Sequence, residues 1–163
     1  MSNLTRDFFI ALSNNKLLNK GAQKWGFRLG AEQFVAGLDV DSVLQSVKKL
    51  NEKGISATVD HLGEFVTDRS VSLRAKQNIL HLIERIHEEK VDCHVSVKLT
   101  QLGLDIDEQF CLDNMFEIVE LANKYDIFIN IDTEDYLHYE QTLRVLDALR
   151  EKYDNVGTVI QSY

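Results

Sequence analysis

The chain has 163 residues, of which 44% are hydrophobic, so it is long and apolar enough to bury the core of one domain or of part of one. Its formal net charge of −8, from 26 acidic and 18 basic residues, disfavours binding to nucleic acid or anionic lipid. Cys93 and Cys111 stand far apart, which predicts reduced thiols in a cytoplasmic protein, and no targeting or membrane-spanning segment is expected.

Residues 1–53 are predicted to form an N-terminal helical segment. Two helices are expected before Gly37, a residue that suits a helix end. A third and clearer helix follows, because Asp39 or Asp41 can cap its N-terminus and hydrophobic residues recur along one face. Gly54 stands just beyond its end and marks a change of pattern.

Residues 54–163 are predicted to form a second domain, in which strand, loop and helix repeat. Strand starts lie roughly 30 to 40 residues apart, the length of a βα unit, so we expect a parallel sheet. The predicted strands are Ile55–Val59, Cys93–Leu99, Ile127–Ile131 and Val156–Ile160. The predicted helices between them are Ser70–Glu89, Asp107–Lys124 and Tyr136–Lys152.

Each predicted strand has an apolar face and a more polar one. In the third strand, for example, Asn130 and Asp132 alternate with isoleucines. Buried polar groups must find partners or do chemistry, because an unpaired one is costly. At the carboxyl ends, the four strands bring one polar residue each to a common side, namely Asp60, Lys98, Asp132 and Gln161. This layout is typical of a (β/α)₈ barrel, in which reacting groups lie at the C-terminal ends of the strands.

Each strand-end aspartate also has a simpler interpretation, as a turn or helix-cap residue. Lys98 is more informative, because a lysine within an apolar strand must reach solvent or pair with carboxylates. Asp60 and Asp132 would favour its charged form. A one-residue shift in register would turn the next residues inward instead, namely His61, Leu99 and Thr133.

The sequence stops directly after the fourth strand, which would leave an open sheet edge. We therefore expect the front part of a longer, apparently truncated barrel, which would self-associate through that edge. A complete flavodoxin-like sheet is the competing fold. It normally carries helices on both faces, so it would need strands that are apolar on both.

Five segments follow one another at characteristic spacings: Phe34-Val35-Ala36-Gly37, Val59-Asp60-His61-Leu62-Gly63-Glu64, Val95-Ser96-Val97-Lys98-Leu99-Thr100, Ile131-Asp132-Thr133-Glu134 and Thr158-Val159-Ile160-Gln161-Ser162-Tyr163. In this order they resemble the first half of a bacterial monofunctional proline dehydrogenase, over essentially the whole chain. The resemblance implies a distorted (β/α)₈ barrel preceded by helices. It also implies FAD-dependent oxidation of L-proline to Δ¹-pyrroline-5-carboxylate, with electrons passed to membrane quinone by a cytoplasmic protein peripheral to the inner face of the cell membrane.

The resemblance also implies roles for individual residues. Lys98 is similar to the lysine that binds the proline carboxylate, and Asp60 to an aspartate of the substrate-site network. Asp132 is similar to the active-site aspartate near the flavin. Thr133 and Gln161 occupy positions that contact FAD. The family's paired arginines and most of its phosphate-binding groups come later than this sequence extends.

Two other functions remain open. A metal-dependent barrel hydrolase could use the aspartates with His61, His94 and His138, although the chain contains no H-x-H or H-E-x-x-H motif and we expect no metal site. The chain could also be a non-catalytic piece of a barrel. If the chain is part of a longer barrel, we expect the 163-residue polypeptide alone neither to oxidise proline nor to hold FAD tightly.

Overall fold

The structure, a computed structural model, describes residues 35–161. The chain divides into two units, Met1–Ser46 and Val47–Tyr163. The two helices predicted before Gly37 fall largely on residues 1–34, which lie outside the described residues. Ser162 and Tyr163 also lie outside them. The predicted domain boundary after residue 53 stays a prediction.

Helix α1 spans Val40–Asn51 and is the third helix expected from the sequence. Asp39 caps it, since its Oδ1 accepts a hydrogen bond of 2.8 Å from the Ser42 amide. Gly54 follows the helix as predicted, with a positive φ of 72° and its amide 2.8 Å from the Asn51 carbonyl oxygen. The left-handed conformation explains why glycine occupies this position.

The second unit contains a four-stranded parallel sheet with strand order β1-β2-β3-β4. The strands are β1 (Ala57–Asp60), β2 (Cys93–Val97), β3 (Ile129–Ile131) and β4 (Val156–Thr158). The connecting helices are α2 (Arg69–Glu89), α3 (Glu108–Lys124) and α4 (Tyr139–Arg150). The predicted α/β class and βα repeat are confirmed. A flavodoxin-like sheet would reverse its strand order at a switch point, and this sheet does not.

The register places polar residues in one row across the sheet. Asp60 lies opposite Ser96, Ser96 opposite Asn130, and Asn130 opposite Gly157. In β2 and β3, the side chains before and after this row are apolar and fully buried, namely Val95, Val97, Ile129 and Ile131. The core therefore lies on the apolar side of the strands, together with the buried faces of the helices.

Helices α2 and α3 begin within one residue of their predicted starts because aspartates cap them. Asp68 accepts a hydrogen bond from the Ser70 amide at 2.7 Å, and Asp107 from the Phe110 amide at 2.7 Å. Side-chain ion pairs connect neighbouring helices. Lys76 of α2 binds Glu117 of α3 at 2.7 Å.

Several predicted ends were too long. The Ile127 amide donates to the Ala122 carbonyl and so belongs to the end of α3, and β3 pairing begins only at Ile129. Tyr136 and Leu137 are 90% and 81% exposed, and α4 begins after them. Short apolar stretches at loop ends had been assigned to the neighbouring regular elements. In the other strands, β1 begins at Ala57 rather than Ile55, β2 ends at Val97 rather than Leu99, and β4 ends at Thr158 rather than Ile160.

Cys93 and Cys111 are buried and form no disulfide. Burial raises the pKa of the Cys93 thiol to about 11 and that of the Cys111 thiol to about 12. Both side chains therefore remain protonated thiols at neutral pH. Among the described residues, no helix is both long and apolar enough to cross a membrane.

Candidate active site

Lys98 joins the ends of three strands. It follows β2 directly, and its Nζ donates hydrogen bonds to Asp60 Oδ2 at 2.7 Å and to Asp132 Oδ2 at 2.9 Å. Asp60 ends β1 and Asp132 follows β3, so the parallel order of the strands brings the two carboxylates to either side of the lysine. The side chains are 19%, 28% and 29% exposed, respectively, for Lys98, Asp60 and Asp132. The structure thus brings together three of the predicted site residues, and we call them the strand-end trio.

The trio keeps its lysine charged. Burial by itself lowers the pKa of Lys98, but hydrogen bonds and charges from Asp60 and Asp132 outweigh it, so the pKa lies well above its ordinary value. With one cation and two carboxylates, the trio has a formal charge of −1 when all three groups are ionised. A simple anion would therefore find little net attraction here without further positive groups.

Asp132 is fixed through both of its oxygens. While Oδ2 accepts from Lys98, Oδ1 accepts from the side-chain Nδ2 of Asn130 at 3.0 Å and from the Ser96 hydroxyl at 2.5 Å. Asn130 and Ser96 therefore satisfy their polar groups on the same face of the sheet. These two residues hold the carboxylate orientation, and strand alternation had placed them on this face without assigning them a role.

Asp60 is bound on one side only. Its Oδ2 accepts from Lys98, whereas its Oδ1 is inaccessible to solvent and has no hydrogen-bond partner among the described residues. A buried carboxylate oxygen without a donor is unfavourable, at a cost of about 1–3 kcal/mol.

Thr133 and Gln161 contact each other and are not part of the hydrogen-bond network of the trio. The Gln161 amide is 3.4 Å from Thr133 Oγ1, and the Thr133 hydroxyl donates to the Val159 carbonyl at 3.2 Å. The Gln161 side chain offers both donors and an acceptor, and this one long contact leaves most of that capacity for a ligand. Val159, which is 42% exposed, supplies apolar surface at the same place.

Four of the five predicted site residues line one cavity of about 530 Å³ at this edge of the sheet, and Asp60 is the exception. Its lining consists of Glu64, Phe65, Lys98, Asp132, Thr133, Glu134, Val159 and Gln161. A groove of about 640 Å³ runs over α2, α3 and Tyr153 on the helical layer. We place the site in the smaller cavity, because it collects the strand-end residues and the groove does not.

Sequence reasoning assigned no role to Thr100 and Glu134. The two Glu134 oxygens accept from the Thr100 hydroxyl at 2.5 Å and from the Thr100 amide at 3.0 Å. Both residues stand in loops beyond the strand ends, where strand alternation no longer fixes the direction of a side chain, so no signal in the sequence pointed to this contact.

The histidines considered for a metal site lie in three different places. His61 contacts Gln101 at 3.0 Å, the His94 ring packs 5.3 Å from that of Phe128, and His138 binds Asp105. Across residues 35–161, no group of three or more histidine, cysteine, aspartate or glutamate side chains is arranged to hold a metal ion.

A family model described as "Proline dehydrogenase" matches residues 43–163. Proline dehydrogenase 2 of Bacillus subtilis (strain 168) is 41% identical over 160 residues, which cover 98% of this chain and 53% of that protein. Proline dehydrogenase of Deinococcus radiodurans is 35% identical over 138 residues, covering 82% of this chain and 44% of that protein. The chain spans about half the length of these curated relatives.

Among solved structures, the chain is similar to proline utilization A (PutA) from Bdellovibrio bacteriovorus inactivated by N-propargylglycine. The TM-score is 0.77 with 24% sequence identity, over 90% of this chain and 18% of that one. At this identity the likeness concerns the fold alone, and it supports the predicted arrangement of consecutive βα units.

Proposed function

This chain belongs to the proline dehydrogenase family. From that premise, we propose that the residues at its strand ends form part of an active site that oxidises L-proline to Δ¹-pyrroline-5-carboxylate. The observation that carries the proposal is Lys98, which is held between Asp60 and Asp132 and lines a cavity at the ends of the parallel strands. Such strand ends are where barrel enzymes place their reacting groups.

The charge of the trio suits a zwitterion. In the proposed role, Lys98 binds the carboxylate of proline, because a fixed and permanently charged ammonium is a strong hydrogen-bond donor to an anion. The formal charge of −1 on the trio favours the positively charged ring nitrogen of the same molecule. An amino acid thus matches this site better than a monovalent organic anion does.

FAD is the cofactor that we propose, and Thr133 and Gln161 are the residues that would contact it. When bound, FAD accepts the hydride from the carbon next to the proline nitrogen. The chain's part is to position the two molecules and to set the charge around them. Asp132, fixed by Asn130, Ser96 and Lys98, supplies an oriented negative charge beside the reacting ring.

Two further proposals, the electron acceptor and the location of the protein, rest on family membership. We propose that electrons pass to membrane quinone, and that the protein works in the cytoplasm, peripheral to the inner face of the cell membrane. We also propose that the 163-residue polypeptide self-associates along β4. Exposed apolar side chains at Val159 and Ile160 support this last proposal.

Anaerobic mixing of L-proline with the full-length, FAD-loaded protein tests the main proposal. We expect loss of the visible absorbance of oxidised flavin with L-proline, and no loss with pyrrolidine, which lacks the carboxylate that Lys98 is proposed to bind. A flavin that stays oxidised in the presence of L-proline would refute the proposed function. Hydrolytic activity that requires an added divalent metal ion would favour the hydrolase alternative instead.

A further inference from the structure

The loop between β1 and α2, residues 61–68, has no regular secondary structure and is largely exposed. Two of its residues, Glu64 and Phe65, line the candidate cavity. Phe65 has a positive φ of 51°, which is uncommon for a bulky side chain and persists only where the surroundings fix it. What holds this loop therefore matters for the site.

Buried residues after β2 hold the loop at several points. The Phe65 amide donates to Thr100 Oγ1 at 2.9 Å, and the Val66 amide donates to the Thr100 carbonyl at 3.1 Å. Gln101 donates to the His61 carbonyl at 3.1 Å. Thr100 is fully buried and Gln101 is 3% exposed, so the anchor points belong to the rigid part of the fold.

Thr100 is held in turn by Glu134. One oxygen of Glu134 accepts from the Thr100 hydroxyl and the other from the Thr100 amide. Since the hydroxyl proton is donated to Glu134, the Thr100 oxygen is left with its lone pairs toward the Phe65 amide. The carboxylate therefore sets the direction of the hydroxyl that receives the loop.

We propose that Glu134 and Thr100 are positioning residues, which fix the loop 61–68 at the rim of the active site through a relay from the Glu134 carboxylate to the Phe65 amide. Glu134 lines the cavity, yet both of its oxygens are committed to Thr100. It thus acts on the substrate through the loop. The hydrogen bonds of this relay connect three consecutive βα loops, those that follow β1, β2 and β3.

The effect on substrate binding rests on the proposed function, but the effect on the loop does not. Hydrogen exchange of the loop amides in the full-length protein measures the latter directly. Thr100→Val removes the hydroxyl and keeps the shape of the side chain, and Glu134→Ala removes the carboxylate outside the core. We expect amides of residues 61–68 to exchange about ten- to a hundredfold faster in either variant, as for loss of a charge-assisted hydrogen bond.

Two further variants sharpen the test. Thr100→Ser retains the hydroxyl and should restore slow exchange. Thr158→Val, which removes a hydroxyl that binds the Ile131 carbonyl at 2.8 Å in the sheet, should leave the loop unchanged. The double variant Thr100→Val with Glu134→Ala should exchange no faster than the faster single variant, because both act on the same relay.

In steady-state kinetics with L-proline, we expect Thr100→Val and Glu134→Ala to raise KM by a similar factor and to change kcat less. Unchanged exchange in both single variants would overturn the relay. So would a raised KM in Glu134→Ala alone, because Glu134 would then act directly on the substrate. If the wild-type protein fails to oxidise proline, the proposed function is wrong, while the exchange data still decide the relay.

Discussion

Lys98 Nζ and Asp132 Oδ2 lie 2.9 Å apart across the ends of β2 and β3, and the same nitrogen lies 2.7 Å from Asp60 Oδ2. We predict that Lys98→Ala raises KM for L-proline in the full-length enzyme more than it lowers kcat. A charge-assisted contact contributes about 1.5–3 kcal/mol, which corresponds to a ten- to hundredfold change in affinity. Steady-state kinetics over a range of proline concentrations measure both constants.

Lys76→Ala is the matched control for this variant. Lys76 is also a largely buried lysine with a carboxylate partner, Glu117, but it lies on the helical layer. We expect it to alter stability without altering KM. An unchanged proline affinity in Lys98→Ala would mean that the lysine is not the carboxylate-binding group.

Asp132→Ala should slow reduction of the flavin by L-proline. The carboxylate is oriented by hydrogen bonds from Ser96 and Asn130, so its charge is available in place at the transition state. Loss of one such interaction should reduce the rate by about ten- to a hundredfold. Stopped-flow measurement under saturating proline gives this rate, and Asp113→Ala on the exposed face of α3 serves as control. A wild-type rate in Asp132→Ala would contradict the role.

Gln161→Ala should lower the reduction potential of the bound flavin. A hydrogen-bond donor at the flavin edge stabilises the more negative reduced form, and a neutral hydrogen bond of about 1 kcal/mol corresponds to roughly 20 mV for two electrons. Equilibrium titration with a reference dye measures the shift. Gln109→Ala, on α3, should leave the potential unchanged, and an equal potential in both variants would place Gln161 away from the flavin.

His138 should make the stability of the fold depend on pH. Hydrogen bonding to Asp105 raises the pKa of His138, burial opposes this, and Asp135 adds to the increase. Since the folded-state pKa is raised, this contribution is fully present below the ordinary value of 6.5 and is lost as pH rises through the folded-state pKa. The hydrogen bond to His138 in turn lowers the pKa of Asp135 below 3.8, so that part is lost as pH falls through the lowered value.

Urea unfolding between acidic and mildly alkaline pH tests this expectation. The stability difference between wild type and His138→Gln should be largest between about pH 4 and 6.5 and should shrink above it. His81→Gln, on the exposed side of α2, is the control. A difference that does not vary with pH would show that His138 binds its aspartates without a change in protonation.

The 163-residue polypeptide by itself should self-associate. Within the described residues β4 pairs with β3 alone, and Ile160 beyond it is 86% exposed. An unpaired edge strand with apolar neighbours favours edge-to-edge contact. Light scattering should show species larger than a monomer, and Ile160→Lys should reduce them. A compact monomer that unfolds cooperatively would contradict the expectation.

The starts of α2 and α3 could be predicted closely from local signals, whereas most strand ends and the start of α4, which has no side-chain cap, could not. Asp68 and Asp107 are capping residues next to long amphipathic stretches, so both helix starts were correct to one residue. Ile127 has the composition of a strand residue, but its amide completes the end of α3. Tertiary structure decides which hydrogen bond such a residue forms, so the bond cannot be predicted from the residue type alone.

The trio was accessible from sequence because a period of two fixes which side chains share a face. Its members all stand at strand ends, where this period still applies. The Thr100–Glu134 contact escaped because both residues stand in loops, where side-chain direction no longer follows from sequence spacing. The roles of all five predicted site residues remain predictions, and the variants above test those of Lys98, Asp132 and Gln161.

The distance along the chain between trio members has a kinetic consequence. Lys98 is separated from Asp60 by 38 residues and from Asp132 by 34, so the trio forms only after two whole βα units have closed. Contacts of such separation form late in folding when local helices come first. A ligand that spans the three strands would then stabilise the native state more than the transition state. It should prolong the lifetime of the folded protein by slowing unfolding, and leave the folding rate nearly unchanged.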